Sequence, residues 1–201
     1  MRGSWIVLAV LLLLPLTACA AGEQPDTAAE ELQERYAQMS GCNARLRAAV
    51  ATEEETRRYV LDVSCDAEET RVTVLEPEEI SGICAHISRA DALSLEYSGM
   101  VLDAGSADCG VSAANCADIF LRAAAEGFVT ERGRERFGDT DDALRLCFET
   151  EYVGEKLLVS AYFDAEDAPL YAEIEKDGEI LAFLEFTDFT FGDILSTAQE
   201  S

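Results

Sequence analysis

Seven cysteines carry the most reactive side chains of this 201-residue sequence. Six of them follow residue 40, and an even number of cysteines in an exported chain favours up to three disulfides. We expect the pairs Cys109 with Cys116, which flank a short segment, and Cys42 with Cys65, which lie at the start of one predicted strand and the end of the next. Free buried thiols are the alternative, because cysteine packs well as a small apolar residue. No Cys-x-x-Cys motif occurs, which argues against a thioredoxin-like redox site and a zinc ribbon.

Patterns typical of catalysis or metal binding are weak. The only histidine, His86, alternates with apolar neighbours, so we expect it on the polar face of a strand. Ser88 and Asp91 follow it, but no Gly-x-Ser-x-Gly motif supports a hydrolase. The acidic segment 138–142 lacks the other ligands of a calcium loop and is interpreted as a solvated turn. We therefore expect no enzymatic activity, no catalytic residue, no metal site and no cofactor.

Three arginines form the densest basic group. Arg132, Arg134 and Arg136 share one face if residues 128–137 are a strand, and Arg122 is close in sequence. They are a candidate docking patch for an acidic partner or a lipid headgroup. Neutralisation of neighbouring carboxylates is the alternative, and we favour it.

The overall charge excludes several classes of partner. There are 40 acidic and 15 basic side chains, and the formal net charge is −25. Nucleic-acid binding needs Lys and Arg on the surface, and adhesion to anionic lipids needs the same. The hydrophobic share of 49% excludes a disordered acidic tail.

The N-terminus indicates export and lipid attachment. Arg2 precedes the apolar run 5–16, which is too short for a membrane span and fits a signal peptide over residues 1–18. The sequence Leu-Thr-Ala-Cys then resembles a bacterial lipobox, which implies a diacylglyceryl group on Cys19. An ordinary secretory signal cleaved near Ala20 is the alternative. Residues 19–27 would be a tether, holding the domain 28–201 on the extracytoplasmic side of the cell membrane.

The spacing of apolar residues after the tether predicts an α+β fold of two helices and about ten strands. Helical spacing covers 27–39 and 112–126, while alternation with period two is typical of strands. Short joins between strands favour an antiparallel sheet whose apolar face the helices cover. The predicted strands are 44–50, 58–65, 71–74, 83–88, 92–97, 128–137, 144–149, 157–163, 170–175 and 180–186.

This order of elements resembles the LolA/LolB-type lipoprotein-carrier family. The segments that carry the likeness are 36–39; 72–77, 80–83 and 95–99; and 169–174, 177–178 and 186–189. The resemblance implies a strongly curved, half-open antiparallel sheet around an apolar cavity, lidded by helices. It is nearest to small lipoproteins of Gram-positive bacteria, including germination-type lipoproteins.

Two functions follow from the resemblance. In the first, the chain binds a lipid or acyl chain in the concave sheet. In the second, its core is filled and it binds a protein, as a scaffold or regulator of a cell-envelope or spore-cortex enzyme. The residues expected to line the concavity, or to fill the core, are Leu46, Leu61, Val63, Val74, Leu95, Leu146, Val159 and Phe163.

Overall fold

The computed structural model describes residues 27–52, 54–107 and 110–192. The predicted signal peptide, Cys19, Cys109 and most of the tether lie outside these residues. The helices are α1 (Ala28–Gln38) and α2 (Cys116–Glu126), with a short 3-10 helix at Glu78–Ile80. The strands are β1 (Cys42–Ala51), β2 (Thr56–Cys65), β3 (Glu69–Glu76), β4 (Cys84–Ser88), β5 (Ala92–Tyr97), β6 (Met100–Ser106), β7 (Phe128–Phe137), β8 (Thr140–Tyr152), β9 (Glu155–Phe163), β10 (Pro169–Lys176) and β11 (Glu179–Phe191).

All described strands belong to one antiparallel sheet in the order β6-β5-β4-β3-β2-β1-β11-β10-β9-β8-β7. Each half of the chain is a meander, and the pairing of β1 with β11 joins the halves. The sheet is open, with β6 and β7 at its edges. The predicted α+β class with an antiparallel sheet is confirmed.

The edge strand β6 is absent from the sequence prediction. Every residue of β6 is exposed, so neither face carries the apolar alternation that marks the other strands. The turn at Ser98 and Gly99, both with positive φ, brings β6 back beside β5. Backbone pairing, rather than side-chain burial, therefore defines this strand.

The central helix begins later than the predicted residue 112. Residues 112–115 form a turn in which the Asn115 side chain accepts a hydrogen bond from the Ser112 amide at 2.8 Å. Asn115 also donates to the carbonyl of Gly110 at 2.7 Å and is fully buried. Its amide competes with helical backbone bonds, so α2 starts at Cys116.

One carboxylate shows how strongly the sheet curves. The Asp118 carboxylate on α2 accepts hydrogen bonds from Thr70 of β3 at 2.7 Å and from Tyr152 of β8 at 3.2 Å. These strands are six positions apart in the sheet order, and at about 4.8 Å per strand a flat sheet would separate them by about 29 Å. The sheet therefore wraps around α2, which confirms the predicted strong curvature.

A side chain at Gly41 would collide with the neighbouring strand. A Cβ atom there would lie 2.2 Å from the carbonyl oxygen of Cys65. Because a backbone oxygen inside a sheet has little freedom to move, we expect Gly41→Ala to lower the free energy of unfolding by about 2 kcal/mol. Urea unfolding followed by circular dichroism measures this change.

Gly133 in the exposed strand β7 offers the matched control. A Cβ atom at Gly133 would meet nothing within 4 Å, so Gly133→Ala is expected to change the free energy of unfolding by less than about 0.5 kcal/mol. Equal losses for the two variants would contradict the close approach at Gly41.

Candidate functional site

The residues predicted to line the concavity lie together in the core. Seven of the eight are buried, and Leu95 is partly buried and packs against them. None of them lines the cavities described below. Of the two roles that the sequence left open for these side chains, core filling is the one that this packing favours.

Aromatic side chains of the two helices fill the concave face. Tyr36 of α1 and Phe120 of α2 are both buried, with ring centroids 6.3 Å apart. Phe120 lies 4.9 Å from Phe186 and 6.2 Å from Phe163, and Tyr36 lies 5.9 Å from Phe163. Rings at these separations pack as in a protein interior. A ligand occupying the centre of the concavity would have to displace the helices.

A buried polar network crosses this apolar interior. Thr70 donates to Asp118 Oδ1 and Tyr152 to Oδ2, and the same Oδ2 atom lies 2.8 Å from Arg122 Nε. Arg122 also donates to Asp91 at 2.6 Å and to the carbonyl of Ser88 at 3.2 Å. Burial raises the pKa of Asp118, while Arg122 and the two hydroxyl donors act in the opposite direction. The network ties α2 to the β4–β5 turn and to both halves of the sheet.

A small apolar cavity opens at the mouth of the curved sheet. Its volume is about 140 Å³, and it lies between the start of α2 and the β8–β9 and β10–β11 turns. Ile119 and Leu157 form a buried floor that belongs to the core, while Val111, Val153 and Leu181 are partly exposed around it. Lys176 and Glu155, which form an ion pair, add polar groups to the lining.

A β-bulge contributes to this cavity. Ile174 pairs with Ala182 and Glu175 with Ile180, so Leu181 of β11 has no partner on β10. Bulges redirect side chains relative to the regular alternation of a strand. Leu181 thereby joins the cavity lining, although simple alternation would place it on the outer face.

Of the two predicted cysteine pairs, the structure describes both members of one pair and a single member of the other. Cys42 and Cys65 are register partners at the ends of β1 and β2, and both are buried thiols. Their disulfide stays a prediction. Cys116 is a buried thiol whose pKa is raised by burial to about 12, and its predicted partner Cys109 lies outside the described residues.

The arginines of the candidate docking patch lie at the edge of the sheet beside α1. Arg132 pairs with Glu30 at 3.2 Å, Arg134 with Asp142 at 3.4 Å, and Arg136 with Asp141 at 3.4 Å. These ion pairs favour local neutralisation of acidic neighbours. Docking of an acidic partner stays a prediction.

His86 lies between two carboxylates on the polar side of β4. Its Nδ1 atom is 3.5 Å from Glu69 and its Nε2 atom is 3.3 Å from Glu96. Within the described residues, no cluster of three or more His, Cys, Asp or Glu side chains is suited to hold a metal ion. Of the helices in that part of the chain, none has the length and apolar character that crossing a bilayer requires.

Sequence reasoning missed the network around Asp118. The only local signal is the Asp118 and Arg122 pair, four residues apart on an otherwise Ala-rich helix. Thr70, Tyr152 and Asp91 are all distant from Asp118 in sequence. Curvature of the sheet brings these residues together.

Comparisons with known proteins find similar folds at low sequence identity. No family model and no curated protein matches the chain. An uncharacterised conserved protein from Thermus thermophilus is 15% identical, over 85% of this chain and 89% of that one, with a TM-score of 0.49. A putative outer membrane lipoprotein-sorting protein domain from Vibrio parahaemolyticus is 12% identical, over 86% and 94%, with a TM-score of 0.45.

One of the structures with a similar fold carries the name of the family that the sequence resembles. A LolA superfamily protein from Nitrosomonas europaea is 14% identical, over 82% of this chain and 94% of that one, with a TM-score of 0.40. The narrower likeness to germination-type lipoproteins of Gram-positive bacteria stays a prediction.

Proposed function

We propose that this chain is a non-enzymatic lipoprotein, anchored on the extracytoplasmic side of a cell membrane, that binds the end of an acyl chain at the mouth of its curved sheet. The observation that carries the proposal is the apolar mouth cavity, whose floor is continuous with the core. Most ligand sites are concave and largely apolar, with a few polar groups that orient the ligand. Here Lys176 and Glu155 are the candidate polar groups.

The size of the cavity limits what it can hold. An apolar cavity of about 150 Å³ accommodates a benzene-sized molecule. The mouth cavity of about 140 Å³ therefore suits the terminal few carbons of an acyl chain, rather than a whole lipid. Deeper entry would require α2 to move away from Phe163 and Phe186, so the proposed site lies beside the predicted concave lining.

Filling the mouth cavity tests this site. Leu181→Trp places a larger side chain in the lining, whereas Leu158→Trp makes the same kind of change at a partly exposed position of β9 outside it. We expect Leu181→Trp to weaken binding of the fluorescent fatty acid cis-parinaric acid by roughly tenfold, a loss of about 1.4 kcal/mol. Leu158→Trp should bind as the wild-type chain does. Absence of binding to the wild-type chain would contradict the proposal.

Attachment to the membrane rests on the lipobox-like sequence before Cys19. The first helix begins nine residues later, at Ala28, so an extended tether would keep the domain within about 30 Å of the bilayer. Two acyl chains on one residue give stable anchoring. Cys19→Ser should move the protein from the membrane fraction to the soluble fraction after cell lysis. Unchanged membrane retention would contradict the anchor.

Protein binding is the second candidate function, and the β5–β6 hairpin favours it. Tyr97, Met100, Val101 and Leu102 are exposed large apolar side chains at the open edge of the sheet. An exposed edge strand can pair with an extended segment of another protein. The partner would carry apolar side chains and, given the net charge of −25, basic ones. Lack of fatty-acid binding, together with loss of a defined envelope partner in Val101→Lys, would favour this function.

A further inference from the structure

The two cysteines at the base of β1 and β2 have the placement that a disulfide requires. Cys42 and Cys65 are direct register partners. The Cα atoms of opposed residues in antiparallel strands lie about 4.5–5.5 Å apart. Disulfides span Cα separations of about 4.4–6.8 Å, so the two sulfurs can bond without a change of register.

The surroundings of Cys65 favour its thiolate form. Arg89 Nη2 lies 3.3 Å from Cys65 Sγ and also donates to the carbonyl of Asp66 at 2.6 Å. The Arg89 guanidinium therefore places a positive charge beside the Cys65 sulfur. The hydrogen bond with Cys42, together with the charge and hydrogen bond of Arg89, lowers the pKa of Cys65, and burial opposes them. The hydrogen bond to Cys65, followed by burial, raises the pKa of Cys42.

Access to the two sulfurs differs. A cavity of about 300 Å³ between the helices and the β2–β3 turn is lined by Cys65 and Arg89, but not by Cys42. Exposed Ala67 and Glu126 also line it, so it reaches the surface. A reagent entering this cavity meets the Cys65 sulfur first, with a guanidinium beside it.

We propose that Cys65 is the attacking thiol, and Cys42 the resolving thiol, of a reversible cross-strand disulfide. The Cys65 thiolate attacks a disulfide of an extracytoplasmic oxidant, forming a mixed disulfide and releasing one thiolate. Cys42 then loses its proton to solvent and attacks the Cys65 sulfur, which releases the second half of the oxidant as a thiolate. Two protein thiols are oxidised and one disulfide is reduced to two thiols. The location of the oxidant rests on the proposed function, whereas the reactivity of the pair does not.

Oxidised glutathione tests the order of these steps in the purified full-length chain. Peptide mapping of the oxidised chain should find Cys42 linked to Cys65. In Cys42→Ser, a mixed disulfide with glutathione should accumulate on Cys65, because no resolving thiol remains. In Cys65→Ser, Cys42 should react roughly tenfold more slowly than Cys65 does in the wild-type chain.

The same peptide map supplies an internal control and a test of Arg89. Burial raises the pKa of the Cys116 thiol, so in the fully reduced chain iodoacetamide at neutral pH should label Cys65 at least about tenfold faster than Cys116. Arg89→Gln should remove most of this advantage, and Arg89→Lys should retain part of it.

Two results would overturn the proposal. One is equal labelling of Cys65 and Cys116 in the wild-type chain, which does not depend on the folding of any variant. The other is persistence of both thiols in oxidised glutathione. Neither result bears on fatty-acid binding or on Cys19, so failure here is distinguishable from failure of the proposed function.

Discussion

Replacing Asp118 with leucine is expected to lower the free energy of unfolding by about 3 kcal/mol. The substitution keeps a side chain of suitable size but removes the acceptor of the Thr70 and Tyr152 hydroxyls and the ion-pair partner of Arg122. Removing one partner of a buried ion pair costs about 3–5 kcal/mol, because the other charge is left uncompensated. Arg122 keeps Asp91, so we expect the lower end of this range. Urea denaturation measures the effect.

Two further variants separate charge from packing. In the double variant Asp118→Leu with Arg122→Met, no unpaired charge remains, and we expect it to be more stable than Asp118→Leu alone by about 1–2 kcal/mol. Asp142→Ala breaks the exposed pair with Arg134 and should cost less than about 1 kcal/mol. A loss for Asp118→Leu as small as that for Asp142→Ala would contradict the importance of the network.

The pH dependence of this difference has a definite sign. Burial raises the pKa of Asp118 above its ordinary value of 3.8, so the folded chain holds this proton to a higher pH than the unfolded chain does. The stability that the carboxyl contributes is therefore greatest below the ordinary pKa and declines as the pH rises through the raised pKa. We expect the difference in unfolding free energy between the wild-type chain and Asp118→Leu to narrow as the pH rises above the ordinary pKa of 3.8. A difference that widens over this interval would contradict the direction of the pKa shift.

Truncating Phe120 to alanine is expected to lower the free energy of unfolding by about 3–5 kcal/mol. The ring is fully buried and packs against Tyr36, Phe163 and Phe186. Large-to-small changes in a core lose transfer free energy and leave a cavity, and for phenylalanine the sum falls in this range. Thermal or urea unfolding gives the value. Binding of cis-parinaric acid to the same variant shows whether the new space in the concavity admits an apolar chain.

Phe128 is the matched control for Phe120. It lies directly after α2, at the start of β7, but its side chain is 72% exposed. Phe128→Ala should therefore change the free energy of unfolding by less than about 0.5 kcal/mol. A loss below about 1 kcal/mol for Phe120→Ala would show that α2 does not pack into the concave face.

In this chain of net charge −25, the outer face of the sheet carries charged side chains. Arg45 forms a cross-strand ion pair with Asp62 at 3.1 Å, and Arg47 forms one with Glu185 at 3.5 Å. All four side chains are exposed. Exposed pairs of this kind contribute little to stability. Their positions follow from the alternation in β1, where every second residue is buried. Apart from the buried network around Asp118, these charges keep the outer surface polar and stay outside the core.

Local patterns in the sequence determined the elements and which side of each faces inward. Apart from Val60, the residues beside Leu46, Leu61 and Val63 are charged or polar, so period two predicted both their strands and their burial. Leu32 and Tyr36 are four residues apart and predicted the buried face of α1. Such patterns are readable because each residue's side is fixed by the geometry of its own element. The exposed strand β6 has no such pattern and escaped prediction.

Tertiary structure alone decided what occupies the concave face. The pairing of β1 with β11 closes the two meanders into one sheet, and its curvature brings Thr70 and Tyr152 to the same carboxylate. Packing of Phe120 against Phe163 and Phe186 fills the centre of the concave face, and a small cavity lies at the mouth. These contacts join residues that are distant in sequence, and their free energy depends on how the curved sheet and helices fit together. The sequence by itself determined the parts and their orientation, whereas the space left between them depends on the whole fold.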